Sequence, residues 1–221
     1  MRRIIVVFLL CILSFPVFSQ EKDFGIWYTV SGKYNVSKKI KLEIAEEWRT
    51  QSNALETNQF FTDLGGSYKF SKYISAGAYY RFIMKKENNG GFFGRNRFYS
   101  DLNFEYPIKR FNIKYRFRIQ RQMNQYAEET DDKIPTLINR HKFELEYNIN
   151  NSKFTPSLFY EAFYRLKYIN PYFRESLRLG LGISYQFSKK HNVQASYLIN
   201  KDLYPKHEYA FILALGYRYS F

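Results

Sequence analysis

The last fourteen residues, EYAFILALGYRYSF, fix more about this chain than any other stretch. Counting back from Phe221 in steps of two gives Tyr219, Tyr217, Leu215, Leu213, Phe211 and Tyr209, all aromatic or aliphatic. The residues between them, from Ser220 back to Glu208, are small or polar except for Ile212. A strict two-residue period is a β-strand with one greasy face. Aromatic rings gather at the end of this strand and aliphatic side chains fill its middle. That order suits a strand crossing a bilayer, because rings favour the headgroup level and aliphatic groups favour the hydrocarbon.

The opposite end of the chain is built for targeting. Arg2 and Arg3 precede an apolar run over residues 4–13, Pro16 breaks it, and residues 17–19 read Val-Phe-Ser. Residues 1–19 are therefore expected to be a cleaved signal peptide, and residues 20–221 a single domain. The run is too short for a spanning helix; an uncleaved anchor is the alternative. Cys11 follows Leu10, which is too large for a lipoprotein cleavage site, and it is the only cysteine. The mature chain would then carry no disulfide, thiolate metal site or cysteine nucleophile. Without Arg2 and Arg3, 32 basic residues stand against 20 acidic ones, a net charge of +12. Export argues against nucleic acid as the partner of that charge, and the positive residues alternate along strands instead of forming one block.

Ten further segments repeat the alternation from Phe24 onward, giving eleven in all. The sixth is the cleanest: Phe111, Ile113, Tyr115, Phe117 and Ile119 alternate with Asn112, Lys114, Arg116, Arg118 and Gln120. Short connections alternate with longer ones such as residues 86–94 and 121–139. Aromatic residues cluster beside the short turns at Tyr68, Phe70, Tyr106, Phe111, Tyr147, Phe154, Tyr185 and Phe187. The expected fold is all-β: a transmembrane antiparallel meander β-barrel, with an aromatic girdle at its short-turn end. Single-chain bacterial barrels use even strand numbers, so eleven segments predict about twelve strands, with ten as the fallback. A secreted sandwich or lipocalin-like barrel is the alternative, and it would bury the Phe- and Tyr-rich face.

With that face toward lipid, the alternate residues line a lumen. Arg81, Lys85, Arg97, Lys114, Arg116, Arg118, Arg140 and Lys142 all fall on the inward face of neighbouring segments four to seven. They are the candidate anion contacts. A four-residue turn at residues 107–110 would set Asp101 opposite Arg116 and Asn103 opposite Lys114, and the turn at residues 150–152 would bring Lys142 to Glu161. Two readings of the strip remain open: a wall that favours anions, or a lumen plugged by its own salt bridges to Asp101, Glu105, Glu144 and Glu146.

Catalytic chemistry finds little material. His141, His191 and His207 are the only histidines, and none has a serine in an evident nucleophile context. No His/Asp cluster has metal-ligand spacing, and the acidic run at residues 128–132 lacks the glycine and regular oxygen spacing of a calcium loop. No enzyme activity, cofactor or metal is expected.

The chain resembles domain-of-unknown-function family 2490, a family of bacterial outer-membrane barrels. The resemblance is carried by a first strand containing Trp27, by KKIKLEIAEEWR at residues 38–49, and by TDLGGSYKFSKYISAGAYYRF at 62–82. HKFELEYN at 141–148 and LGYRYSF at 215–221 add to it. It implies a Gram-negative outer membrane, a barrel of this size and no assigned activity. The final strand also resembles the closing strand of outer-membrane barrels, which makes Tyr217, Tyr219 and Phe221 an assembly signal read by the barrel-assembly machinery. Outer-membrane lipid and lipopolysaccharide would be the surroundings and an anionic solute the expected cargo. Two functional classes follow. One is a narrow channel or closed barrel with a basic lumen favouring small anionic solutes; the other is a structural or surface-binding barrel acting through its outer loops. An outer-membrane lipid-modifying enzyme ranks below both.

Overall fold

A computed structural model describes residues 22–87, 90–124, 135–166, 173–203 and 207–221. The expected signal peptide and the acidic run at residues 128–132 lie outside the described residues. Eleven strands follow in chain order: β1 (Lys22–Asn35), β2 (Ile40–Gln51), β3 (Glu56–Lys69), β4 (Ile74–Lys86), β5 (Phe92–Ile108), β6 (Phe111–Asn124), β7 (Thr136–Tyr147), β8 (Phe154–Leu166), β9 (Phe173–Gln186), β10 (His191–Asp202) and β11 (Glu208–Ser220). Each pairs with its chain neighbours in antiparallel register, and β1 pairs with β11 in parallel to close the barrel.

All eleven segments are therefore in the wall, one fewer than the twelve expected, and the meander is antiparallel everywhere except at its seam. An odd count closes because the first and last strands run the same way. Their slanted, evenly spaced bonds join twelve register pairs, from Lys22↔Tyr209 to Lys33↔Ser220. The starts of β1 and β11 thus share one mouth, and Phe221 lies at the other. The Phe221 mouth carries the tight turns; the mouth of Lys22 carries most of the longer connections.

Two turns differ from expectation. The β2–β3 connection, which the polar run at residues 50–57 predicts to be longer, is only residues 52–55, with Ser52, Asn53 and Ala54 at φ 54°, 57° and 66°. It is docked on the first strand: the Ala54 amide donates to the Phe24 carbonyl at 2.8 Å, and the Asn53 amide to the Asp23 carboxylate at 2.9 Å. The β5–β6 turn is Lys109–Arg110, so Asp101 faces Arg118 and Asn103 faces Arg116. The strands simply continue two residues further than Pro107 suggested. A two-residue shift changes partners but not faces, so the inward set is unaltered. Lys142 does lie opposite Glu161.

The distribution of side chains is inside-out. Among the described residues thirty-seven large apolar or aromatic side chains are exposed and eight hydrophobic ones are buried, while Arg81, Asp101, Arg118, Gln120, Arg140 and Glu161 are buried. A water-soluble monomer does not carry so large an apolar surface, and the sandwich alternative would have buried this face. Around the tight-turn mouth outward rings pack against one another in tilted or T-shaped pairs: Tyr68 with Phe70, Tyr73 with Tyr106, Phe111 with Tyr147, Phe154 with Tyr185, and Tyr219 with Phe221.

Inside, the Tyr79 ring lies across Gly65 and Gly77. A Cβ at Gly65 would meet that ring and stand 2.6 Å from the Ala78 carbonyl oxygen, whereas one at Gly216 would find its first neighbour 3.8 Å away. Gly65→Val is expected to lower stability by about 1–3 kcal/mol through overpacking, and Gly216→Ala to stay within about 0.5 kcal/mol. Urea unfolding of the barrel in lipid vesicles measures both.

Candidate functional site

Just beyond the strand midpoints, toward the mouth of Lys22, inward residues from nine consecutive strands form a stacked ring. It begins at Trp27 on β1. The Arg49 guanidinium (β2) lies 3.7 Å from the Trp27 centroid and 5.0 Å from Phe61 on β3. Arg81 (β4) lies 3.7 Å from Phe61 and 5.7 Å from Tyr99 on β5, and Arg118 (β6) 3.9 Å from Tyr99. Arg140 (β7) lies 4.5 Å from Phe163 on β8. Arg178 (β9) lies 5.0 Å from Phe163 and 4.9 Å from Trp27, which returns the ring to its start. The remaining strands, β10 and β11, supply Leu198 and Ile212, which pack with Phe159 against Trp27. Ile212, the one apolar interruption of the polar face, is therefore part of an apolar patch within the lumen. Each stacked cation is worth about 0.5–1 kcal/mol where exposed and about 2 or more where desolvated.

The counter-ions stand one step nearer the tight-turn mouth. Asp101 receives Arg118 through both arms of the guanidinium, at 2.6 and 2.7 Å. Asp63 receives Arg81 in the same forked way, with Nε at 2.8 Å. Glu47 holds Arg49 and accepts a hydrogen bond from the Thr29 hydroxyl at 3.2 Å. Glu161, 2% exposed, is shared by three arginines. Its Oε1 accepts Arg116 at 2.6 Å and Arg140 at 2.8 and 3.0 Å, and its Oε2 faces Arg178 at 3.4 Å.

Of the eight residues expected along the lumen, Arg81, Arg118 and Arg140 join the ring. Arg116 and Lys142 lie on its tight-turn side, Lys142 bonded to Glu144 at 2.7 Å and 4.4 Å from the Phe159 ring. Lys114 pairs with Glu146 at 2.6 Å nearer that mouth. Arg97 lies on the opposite side of the ring and donates to Gln122 at 3.0 Å; Lys85 is inward on β4, two residues past Ile83. The basic strip thus enters one lumen but not one level. Glu105 accepts from Asn112 at 2.6 Å instead of pairing with a strip cation.

Sequence reasoning placed Glu161 only opposite Lys142 and missed Arg49, Arg178, Glu47 and Asp63 as site residues, together with Trp27, Phe61 and Phe163. The usable signal was a break in alternation: Phe60-Phe61 and Ala162-Phe163 put apolar residues on both faces at the ring's level.

On the tight-turn side of the ring lies a cavity of about 420 Å³. Its floor is the ring, one wall is arginine-rich, and the facing wall is made small by Ser31, Gln194, Ser196 and Gly216. Among the described residues nine basic side chains line it against four acidic ones. Adjoining recesses of about 310 and 230 Å³ also include Arg116, which lines all three. Among the described residues no group of three or more His, Cys, Asp or Glu side chains could hold a metal.

The histidines lie away from this chamber. His141 sits on the outer face, its Nδ1 2.8 Å from the Tyr115 hydroxyl, between Phe117 and Tyr164. His191 is exposed and pairs with the Tyr217 hydroxyl at 2.8 Å. Tyr217, Tyr219 and Phe221 lie on the outer surface beside the seam, with Phe221 against Tyr219 and Tyr34.

The pairs make a stability prediction. Asp101→Asn strands the buried Arg118 and is expected to cost about 3–5 kcal/mol, while Asp101→Leu with Arg118→Met is expected to be near neutral. Equilibrium urea unfolding of the three proteins in vesicles separates these outcomes.

No curated protein sequence matches the chain. The β domain of the Bordetella autotransporter BrkA is similar in fold, at 11% identity over 85% of this chain and 86% of that chain, with a TM-score of 0.52. OccK11 (OpdR) of Pseudomonas aeruginosa aligns at 11% identity over 79% of this chain and 53% of that chain, with a TM-score of 0.38, so this chain spans about half its length. A family model matches residues 24–209, which takes in Trp27 and the runs at 38–49, 62–82 and 141–148 and leaves out the closing LGYRYSF. The chain belongs to that family, described as protein of unknown function (DUF2490).

Proposed function

We propose that this barrel resides in a bacterial outer membrane and provides a narrow passage that favours small anions. The apolar exterior and the aromatic girdle support the location, since a bilayer is the solvent in which that surface is stable. The chamber carries the anion preference: nine basic side chains against four acidic ones, with Glu161 shared by three arginines. Cationic walls raise the local concentration of anions and oppose cations. Barrels of this width lie between filled eight-stranded ones and open porins, and here the ring narrows the lumen to side-chain contacts.

Tyr217, Tyr219 and Phe221 would be presented at the seam to the barrel-assembly machinery. Outer-membrane lipid and lipopolysaccharide would surround the wall. The ring also supports a second reading, a closed scaffold acting through its longer connections. Transport or scaffolding fits this geometry better than catalysis.

In a planar bilayer under a salt gradient, small stable openings with an anion-favouring reversal potential are expected. Arg116→Ala with Arg118→Ala should reduce the anion-to-cation permeability ratio at least twofold. Silence from a folded, heat-modifiable barrel would sink the passage and leave the scaffold.

Tight turns face the periplasm in such barrels, which would place the start of β1 at the cell surface. Asn53→Cys, in the turn docked on β1, is expected to take a membrane-impermeant maleimide in intact cells. Lys189→Cys should react only after permeabilisation. The reverse pattern would overturn this orientation.

A further inference from the structure

We infer that the chamber holds a binding position for one compact, doubly charged oxyanion of the phosphate class, at Arg116 and Arg178 beside Glu161. The inference rests on the anion-favouring reading of the lumen and adds a saturable site to it.

Charge balance comes first. Among the described residues Arg116, Arg140, Arg178 and Lys142 share only Glu161 and Glu144 as ion-pair partners, so four positive groups meet two negative ones. Two further negative charges would neutralise the group. A bulk counter-ion atmosphere does this poorly at a buried site, where charges are weakly screened.

Unused donors come second. The Nε atoms of Arg116 and Arg178 are buried and have no hydrogen-bond partner. Buried donors left unpaired are uncommon and costly. Both guanidinium groups already touch the same carboxylate, Arg116 at 2.6 Å and Arg178 at 3.4 Å, which brings the two side chains to one place. Both line the same cavity of about 420 Å³. Guanidinium forks match tetrahedral and carboxylate oxyanions by paired N–H donation. A phosphate-class group carries about two negative charges near neutral pH, which matches the surplus.

A route in comes third. The cavity extends from the ring toward the tight-turn mouth, where Arg218 lines it. Among the described residues Arg218 has no carboxylate in ion-pair contact, and its Nε is also buried without a partner. It can receive an anion from that mouth and pass it inward to Arg116.

Trp27 supplies the readout. The chain has two tryptophans, and Trp48 is on the exposed outer face, so Trp48→Phe leaves Trp27 alone, stacked on Arg49 and 4.9 Å from Arg178. The folded Trp48→Phe barrel in non-ionic detergent is titrated at constant ionic strength with inorganic phosphate, glycerol phosphate, sulfate or chloride. A saturable change in Trp27 emission is expected with the dianions, at concentrations at least tenfold below any response to chloride. Adding Arg116→Gln should weaken it at least tenfold. Glu161→Gln, which removes the competing resident carboxylate, should strengthen it, and phosphate should raise the unfolding midpoint of that variant more than that of the parent.

Response to both phosphate and its ester assigns the site to free oxyanions. Response to the ester alone assigns it to a phosphorylated solute. A linear response equal for phosphate and chloride, or one unchanged by Arg116→Gln, overturns the inference. An anion-selective conductance without saturable phosphate binding defeats this site alone. Saturable binding in a barrel that does not conduct defeats the passage and leaves the site.

Discussion

Backbone hydrogen bonding is the constraint on which the rest of this molecule depends. A sheet in hydrocarbon has no water to satisfy its edges, so it must close. Eleven strands close only if the ends meet in parallel, and the β1–β11 ladder runs unbroken from Lys22 to Lys33. The loose end of β1 is secured by its other neighbour. Beyond the last β1–β2 pair, the Ile26 amide donates to the Thr50 hydroxyl at 2.8 Å, and the Phe24 carbonyl accepts the Ala54 amide. The left-handed turn at residues 52–54 is thus a cap for the first strand.

Closure fixes parity, and parity decides what the lumen must absorb. Nine strands send either a guanidinium or an aromatic ring to the same level. Planar guanidinium groups can stack between rings and still fork onto carboxylates in their own plane, which a lysine ammonium cannot do. That geometry lets five arginines share the interior of an eleven-stranded barrel, each with a carboxylate in ion-pair contact. The chamber exists because the packing is lopsided. Ser196 and Gly216 leave room on β10 and β11 where the opposite wall is crowded with arginine side chains.

The faces of every strand could be read from two-residue periodicity, and so could the girdle, because both depend on one strand and its turns. Register was less secure. At Lys109–Arg110 the reading slipped by two residues, since Pro107 looked like a turn residue but pairs with Asn112 within the ladder. The stacking within the ring could not be read. Stacking Arg49 on Phe61 or Arg178 on Trp27 depends on the diagonal offset between strands, and the Arg178–Trp27 contact also needs the seam, which no local signal announces. The eleven periodic segments are the eleven strands, within one of the twelve that the even-number rule suggests; the parallel seam removes the need for another.

Buried ion pairs seldom add net stability over well-packed hydrophobic groups, so stability alone does not account for a charged lumen. The Leu198–Ile212–Phe159 patch shows that this interior can be filled with apolar side chains. On the proposed reading, the charges lower the cost of moving an anion through a narrow, poorly hydrated place. A desolvated anion entering an apolar constriction loses its hydration without replacement. At this ring it would exchange with the carboxylates of Glu161 and Asp101 for guanidinium donors already in position. The barrier becomes a ligand exchange between negative groups, whereas a cation would have to compete with the more numerous resident positive side chains for a few carboxylates.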